Sequence, residues 1–336
     1  MSVSPARLFP DGIAQFRLAL QRVEAEQRDR PGAGEGTFPA QALRDLARIG
    51  ALGAALPTSD GGLGLQDSPA GVLALSDLLR RAGRISLSLG RCVEGHVNVV
   101  RLVCLYGTPR QRALVADDLR RGVLAGIWVT DGAPPVTLTH SGTPEGRLEG
   151  TKGFASAVRE VGIALITARA EPGGETLMVL VPVGERARMG PGPGHLTGMA
   201  GSGTGSYDFT GIAVPAASIV GQPGDYLRQP EFSAGAWRAS AVALGGMDRL
   251  VDLLREELRA RGRAENPHQQ ARIGRAMILR GTAAMWVERA ALASCAPDAA
   301  GGGETAAIVN LARIAVEEAA MELITLVQRG LGVAAM

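Results

Sequence analysis

Between Gly126 and Gly221 the chain changes texture. Short β-branched apolar runs alternate there with Gly, Pro, Ser and Thr, the pattern of strands joined by tight turns. The stretch opens with Ile127-Trp128-Val129-Thr130-Asp131-Gly132 and passes through Leu148-Glu149-Gly150-Thr151-Lys152-Gly153-Phe154-Ala155-Ser156. It closes on Tyr207-Asp208-Phe209-Thr210-Gly211-Ile212-Ala213-Val214-Pro215. Apolar residues on either side recur at helical spacing. A small β-module set between two helical blocks limits the folds open to the chain. Strands are expected at 125–130, 147–150, 163–169, 177–183 and 207–214, with 163–169 buried on both faces because its alternation is poor.

With 336 residues, 46% of them hydrophobic, the chain can bury a large core. Only 4% are aromatic, so that core is mostly Ala, Leu and Val. A net charge of +2 argues against nucleic acid or anionic membrane as the main partner. Lys152 is the sole lysine. Cys92, Cys104 and Cys295 lack metal-ligand spacing and suggest reduced thiols in a cytoplasmic protein. His96, His140, His195 and His268 stand apart, which argues against zinc. The first residues do not have the form of a signal peptide, and no run reaches the length of a membrane span.

Helices are expected over 10–30, around Leu43–Ile49, and over 69–82, 86–105 and 110–121. Loops are expected at Pro31–Gly36 and Pro297–Gly303. Gly61-Gly62-Leu63-Gly64 needs positive φ or close backbone approach, and taken alone it reads as a surface turn. In Tyr106-Gly107-Thr108-Pro109, Gly107 suits C′, Thr108 an N-cap and Pro109 N1. A long helix runs from Ser233 to about Arg261, with Gly245-Gly246 allowing close helix approach. Two more helices follow, over 267–296 and 304–329.

The Pro-x-x-x-Gly-Gly-x-Gly turn, the Tyr-Gly-Thr-Pro link, the strand ending in Thr plus an acid, the Lys-x-aromatic hairpin and the closing Phe209-x-x-Ile-x-Val-Pro strand come in one order and spacing. Together they resemble the acyl-CoA dehydrogenase family over roughly residues 35–332. The resemblance implies an α+β fold: an N-terminal helical domain (1–122), a central small β-barrel or sandwich (123–225) and a C-terminal four-helix bundle (226–336). It implies FAD as cofactor, with Thr130, Asp131, Phe154 and Ser156 around the flavin ring. Read as residues alone, Thr130 and Ser156 are strand-end hydroxyls and Phe154 is core. Arg259, Gln328 and Gly330 match positions that reach the dinucleotide of a neighbouring subunit; Arg261 competes with Arg259. The match implies a homodimer or homotetramer, an acyl-CoA or similar small-molecule substrate, and an electron acceptor or reductase partner.

The sequence departs from the family pattern at Gly132–Leu138 and at Ala155-Ser156-Ala157; the looser hairpin at the second resembles the family's monooxygenase-like members. Family members usually continue past the Gln328–Gly332 glycine turn into a tail that carries the catalytic Glu. Here Glu231 is the nearest carboxylate to the alternative base position, and it reads more readily as a loop or cap residue than as a base. Three functions stay open: a dehydrogenase that oxidises Cα–Cβ of an acyl thioester with hydride transfer to FAD, a flavin-dependent monooxygenase of the same fold, and a degenerate member without dehydrogenase activity.

Overall fold

The computed structural model describes residues 12–28, 36–139, 145–171, 174–194, 198–295 and 303–332. His140, His195 and nearly all of the two expected loops at 31–36 and 297–303 lie outside the described residues. The first helical block holds α1 (Ile13–Arg28), α2 (Ala40–Arg48), α3 (Pro69–Ile85), α4 (Leu87–Tyr106) and α5 (Pro109–Arg120). α5 starts as its sequence demands. Thr108 and Gln111 form a reciprocal capping box and Pro109 occupies the first turn. Gly107 plays a different part from the one expected. Its φ is −76°, so no left-handed cap forms. A side chain there would meet Val103 O at 2.5 Å, so the position needs glycine for space.

The glycine run at 61–64 is no surface turn. Gly62 and Gly64 are buried, and a Cβ on Gly62 would lie 2.0 Å from Leu56 O. Gly61 and Gly64 take positive φ (82° and 62°), so the loop folds inward beneath the start of α3.

Among the described residues ten strands follow: β1 (Leu124–Trp128), β2 (Thr137–Thr139), β3 (Glu145–Glu149), β4 (Thr151–Ala155), β5 (Val161–Glu171), β6 (Thr176–Pro182), β7 (Met189–Gly190), β8 (Gly205–Asp208), β9 (Ile212–Pro215) and β10 (Ile219–Val220). Seven form one sheet in the order β10-β6-β5-β2-β3-β9, with β1 also on β5; β4-β8-β7 form a second. β5 is buried on both faces, and its period of two sorts the side chains. Ile163 and Leu165 join the helical core, while Ala164, Ile166 and Ala168 face the β-module's own core. That second core is filled by Trp128, Tyr207 and Phe209, with ring centroids 5.6 and 4.9 Å apart. Such aromatic pairs add about 0.5–1.5 kcal/mol each beyond burial.

The chain then returns to helix: short α6 (Glu231–Ala234), then α7 (Ala236–Ala260), α8 (Pro267–Cys295) and α9 (Gly303–Leu331). Among the described residues, α7, α8 and α9 pack together and α3 from the first block lies along α7. Gly245 makes that close approach possible, since a Cβ there would sit 1.9 Å from Arg80 O. The two helical blocks share one apolar core, and the β-module rests against it. No helix among the described residues is long and apolar enough to cross a membrane.

Candidate active site

β1 and β2 share one edge of β5: β1 pairs with 161–166 and β2 with 169–171. Between them, residues 129–136 leave the sheet. Lys152, fully buried, fills the gap. Its Nζ donates to Val129 O (3.2 Å), Thr167 Oγ1 (3.0 Å) and Asp131 Oδ1 (2.5 Å). An ammonium has three donors, and all three are used. Burial pulls the Lys152 pKa down and Asp131 opposes it. Asp131 Oδ1 also accepts from Val136 N at 3.2 Å. The Asp131 carboxylate therefore closes its own loop and neutralises the lysine.

Thr130, Phe154 and Ser156 come together beside this knot. Gly153 N donates to Thr130 O at 3.0 Å, which sets the end of β1 against the bulge in β4. Trp128 Nε1 donates to Ser156 O at 3.1 Å. Thr130 is exposed, and Phe154 is 50% exposed. Phe154 and Ala157 hold left-handed backbone (φ 49° and 53°), unusual for side chains with a Cβ. A Cβ on Gly153 would meet a single neighbour within 4 Å, Asp131 O at 3.9 Å. The result is an exposed ring held in strained backbone next to the ends of β1 and β4.

The face of β1 that carries Ile127 and Val129 borders a cavity of about 250 Å³. Ile127 and Val129 line it from β1, and Tyr226 and Phe232 from the segment before α7. Tyr226 and Phe232 meet edge to face, centroids 5.6 Å apart. Arg91, Glu94, Asn98 and Arg101 line it from α4, and Arg238 from α7. Glu94 accepts from both Arg91 and Asn98. Glu231 heads α6 and accepts from Arg101 through both oxygens, at 2.5 and 3.1 Å. Burial works against the Arg101 charge, but this carboxylate holds its pKa above the ordinary value.

Arg238 is 5% exposed. Nη1 donates to Asn98 Oδ1 (2.6 Å) and Nη2 to Gln66 Oε1 (3.3 Å). The inward glycine loop ends at Gln66 and so delivers that amide. Burial first, then the like charge of Arg101, lower the Arg238 pKa to about 10, with Glu231 and Glu94 acting the other way. The guanidinium stays charged at neutral pH.

Arg259, Gln328 and Gly330 lie at the end of the bundle where α7 and α9 meet. Arg261 Nη1 donates to Leu331 O at 3.0 Å and joins the two helices. Arg259 and Gln328 are exposed. Gly330 lies inside α9 instead of a turn, and a Cβ there would press on Leu254 Cδ1 at 2.7 Å. The helix extends because Gly330 packs as a small residue, and the left-handed step falls at Gly332 (φ 65°). His96 is a satisfied core histidine. Nδ1 accepts from Ala125 N (3.0 Å) and Nε2 donates to Leu52 O (2.7 Å), while burial lowers its pKa to about 4. Burial pushes the Cys92 and Cys104 thiols up to about 12 and about 11, which makes them poor nucleophiles.

Of the candidates named from sequence, Glu231 alone lines the cavity. Its other polar walls went unread, although α4 carried a signal. Arg91, Glu94, Asn98 and Arg101 recur at spacings of three and four on a helix whose other positions are largely Val and Leu, a polar stripe facing inward.

Residues 15–122 match the family model described as acyl-CoA dehydrogenase, N-terminal domain. The amino sugar nitrososynthase DnmZ of Streptomyces peucetius is 30% identical over 266 residues, which cover 73% of this chain and 62% of that protein. The chain spans between 55% and 62% of the length of the other curated relatives it matches. FMN-bound TdsC from Paenibacillus sp. A11-2 superposes with a TM-score of 0.81 at 20% identity, over 96% of this chain and 88% of that one. Butyryl-CoA dehydrogenase from Megasphaera elsdenii gives 0.79 at 17% identity, over 96% and 88%. The chain is an acyl-CoA dehydrogenase-like family member with the fold of those enzymes. The relatives include a probable acyl-CoA dehydrogenase, an acryloyl-CoA reductase and amino sugar nitrososynthases, and solved structures of TdsC and KijD3 hold FMN.

Proposed function

We propose that this chain is a flavin-dependent oxidoreductase, that the cavity between α4, β1 and α7 is its substrate chamber, and that it works as a monooxygenase of this fold. The observation that carries the proposal is the condition of the cavity's carboxylates. Taking an α-proton from a thioester needs a carboxylate free to accept it within hydrogen-bond reach. Among the described lining residues, Glu231 is held through both oxygens by Arg101, and Glu94 is held by Arg91 and Asn98. Neither is free to serve as a base.

A flavin, FAD or FMN, supplies two-electron redox chemistry and, when reduced, the reaction with dioxygen. Thr130 and Ser156 would orient the ring edge and Phe154 would cover it. Ile127 and Val129 keep water from the chamber wall, and Tyr226 and Phe232 form its rim. Arg259 and Gln328 are proposed to meet the dinucleotide of a second copy. Exposed Ile278, Met285, Leu311 and Met321 on α8 and α9 support a homodimer or homotetramer. A cytoplasmic location and a separate reductase complete the proposal.

A second function, Cα–Cβ oxidation of an acyl-CoA with Glu231 as base, is favoured by the position of Glu231 on the cavity wall. It requires the Arg101 pair to open. The decisive measurement is an anaerobic spectral titration of the flavin-loaded protein with acyl-CoAs, beside oxygen uptake with a flavin reductase. Uptake without bleaching is expected. Anaerobic bleaching would reverse the order of the two, and a protein that retains no flavin would remove both. Thr130→Val and Phe154→Ala should each lower flavin content; unchanged content in both would take them out of the site.

A further inference from the structure

Arg238 is a buried charge that has no ion-pair partner among the described residues, with Glu231 and Glu94 acting on it only from a distance. A guanidinium has five N–H donors, and the described hydrogen bonds use two of them. Nε is buried without a partner. Among the described residues no carboxylate lies within ion-pair distance of Arg238, since Glu231 and Glu94 are engaged by Arg101 and Arg91. Burying an unpaired charge is costly, so something is expected to repay it when the cavity is filled. Gly235 lies beside the guanidinium, where a side chain would touch it. A Cβ on Gly235 would lie 3.7 Å from Arg238 Nη1 and 3.8 Å from Asn98 Oδ1.

We infer that Arg238 anchors the carboxylate of a small organic acid, so that the substrate carries an apolar body and one carboxylate. The inference rests on the cavity being the substrate chamber, as proposed above. Asn98 and Gln66 act as positioning residues, fixing the plane of the fork. Arginine and carboxylate match in a bidentate geometry. Charge count selects a monoanion: the three arginines that line the cavity exceed its two glutamates by one. A dianionic phosphate would overfill that balance and face Glu94 and Glu231. The remaining wall, with Ile127, Val129 and Phe232, suits a short hydrocarbon segment, and about 250 Å³ holds no more than a small one.

The test is calorimetric titration of the purified protein with butyrate, with butanamide and inorganic phosphate as controls. Saturable butyrate binding is expected, with both controls about tenfold weaker or worse, the usual scale for losing a charged hydrogen bond. Arg238→Met should weaken butyrate by at least about tenfold with little change in the melting temperature, because it orphans no carboxylate. Gly235→Ala supplies a second variant. Its φ of −54° is helical, so alanine fits the backbone, yet the methyl group sits against the guanidinium and should also weaken butyrate. Equal butyrate binding by wild type and Arg238→Met, tighter binding of phosphate, or no saturable binding would each overturn the assignment. Flavin absorbance on the same samples separates the two proposals. Flavin-free protein that binds butyrate through Arg238 keeps the anchor and loses the redox function. Flavin-replete protein that ignores butyrate loses only the anchor.

Discussion

Lys152 and Arg238 are both cations taken out of water, and the fold treats them in opposite ways. Lys152 has three donors and three acceptors, one of them a carboxylate. Arg238 has two neutral acceptors, a bare Nε and a cavity beside it. The first arrangement is complete within the chain and holds two sheets and a loop together. The second is incomplete, and its incompleteness points to a ligand. Burial alone does not separate scaffold from site; the hydrogen-bond account does.

The largest expected effect falls on the satisfied cation. Lys152→Met takes the ammonium from Asp131, Val129 O and Thr167 Oγ1, leaving Asp131 with Val136 N and Val129 O with Thr167 Oγ1, and should cost about 3 kcal/mol of stability by urea unfolding. A loss below 1 kcal/mol would break the contrast. Next comes His96, a potential cation that the fold keeps neutral. Its folded pKa, about 4, lies below the ordinary 6.5, so the unfolded chain binds the proton first as pH falls. Its contribution is full above pH 6.5 and lost on the way down to 4. Unfolding at pH 4.5 should show about 2 kcal/mol less stability than at pH 7 from this group. The slope should shrink in His96→Gln; an unchanged slope would assign it elsewhere.

Arg238→Met should change stability by less than about 1 kcal/mol, because removing the unpaired charge offsets the loss of the donor to Asn98 Oδ1 and Gln66 Oε1. Destabilisation comparable to that of Lys152→Met would mean the two cations do the same job. The smallest effect concerns the exposed ring. Phe154→Gly relieves left-handed backbone and should gain roughly 0.5 kcal/mol while flavin content falls. Gained stability with undiminished flavin would leave the strain unexplained.

Much of this was readable in the chain. Helix limits came out within a few residues because Thr108-Pro109 and the apolar spacing are local signals. The double burial of β5 was visible in Val161–Glu171 because a strand covered on both faces loses its alternation. β2, β4, β7 and β10 were not separated as strands. Each has five residues or fewer, and its pairing depends on partners remote in sequence. Thr130, Phe154 and Ser156 were named from the family resemblance, and the structure sets their backbones close together, with Gly153 N on Thr130 O and Trp128 Nε1 on Ser156 O. Arg238 was passed over as one arginine among many.

The amino-acid sequence by itself determined the order of helix, strand and helix and the Thr108 cap, since each depends on neighbours a few positions away, whereas the need for glycine at 245 and 330 comes from Arg80 and Leu254, far off in the chain. Only the tertiary structure decided which charges are spent. Lys152 and Arg238 are both long cations flanked by small and apolar residues, and nothing local distinguishes them. Their roles differ because Asp131 folds back onto one, while the glutamates nearest the other are bound to Arg91 and Arg101 on a different helix. Ionic pairing of that kind is fixed by distance in space, which sequence separation does not encode.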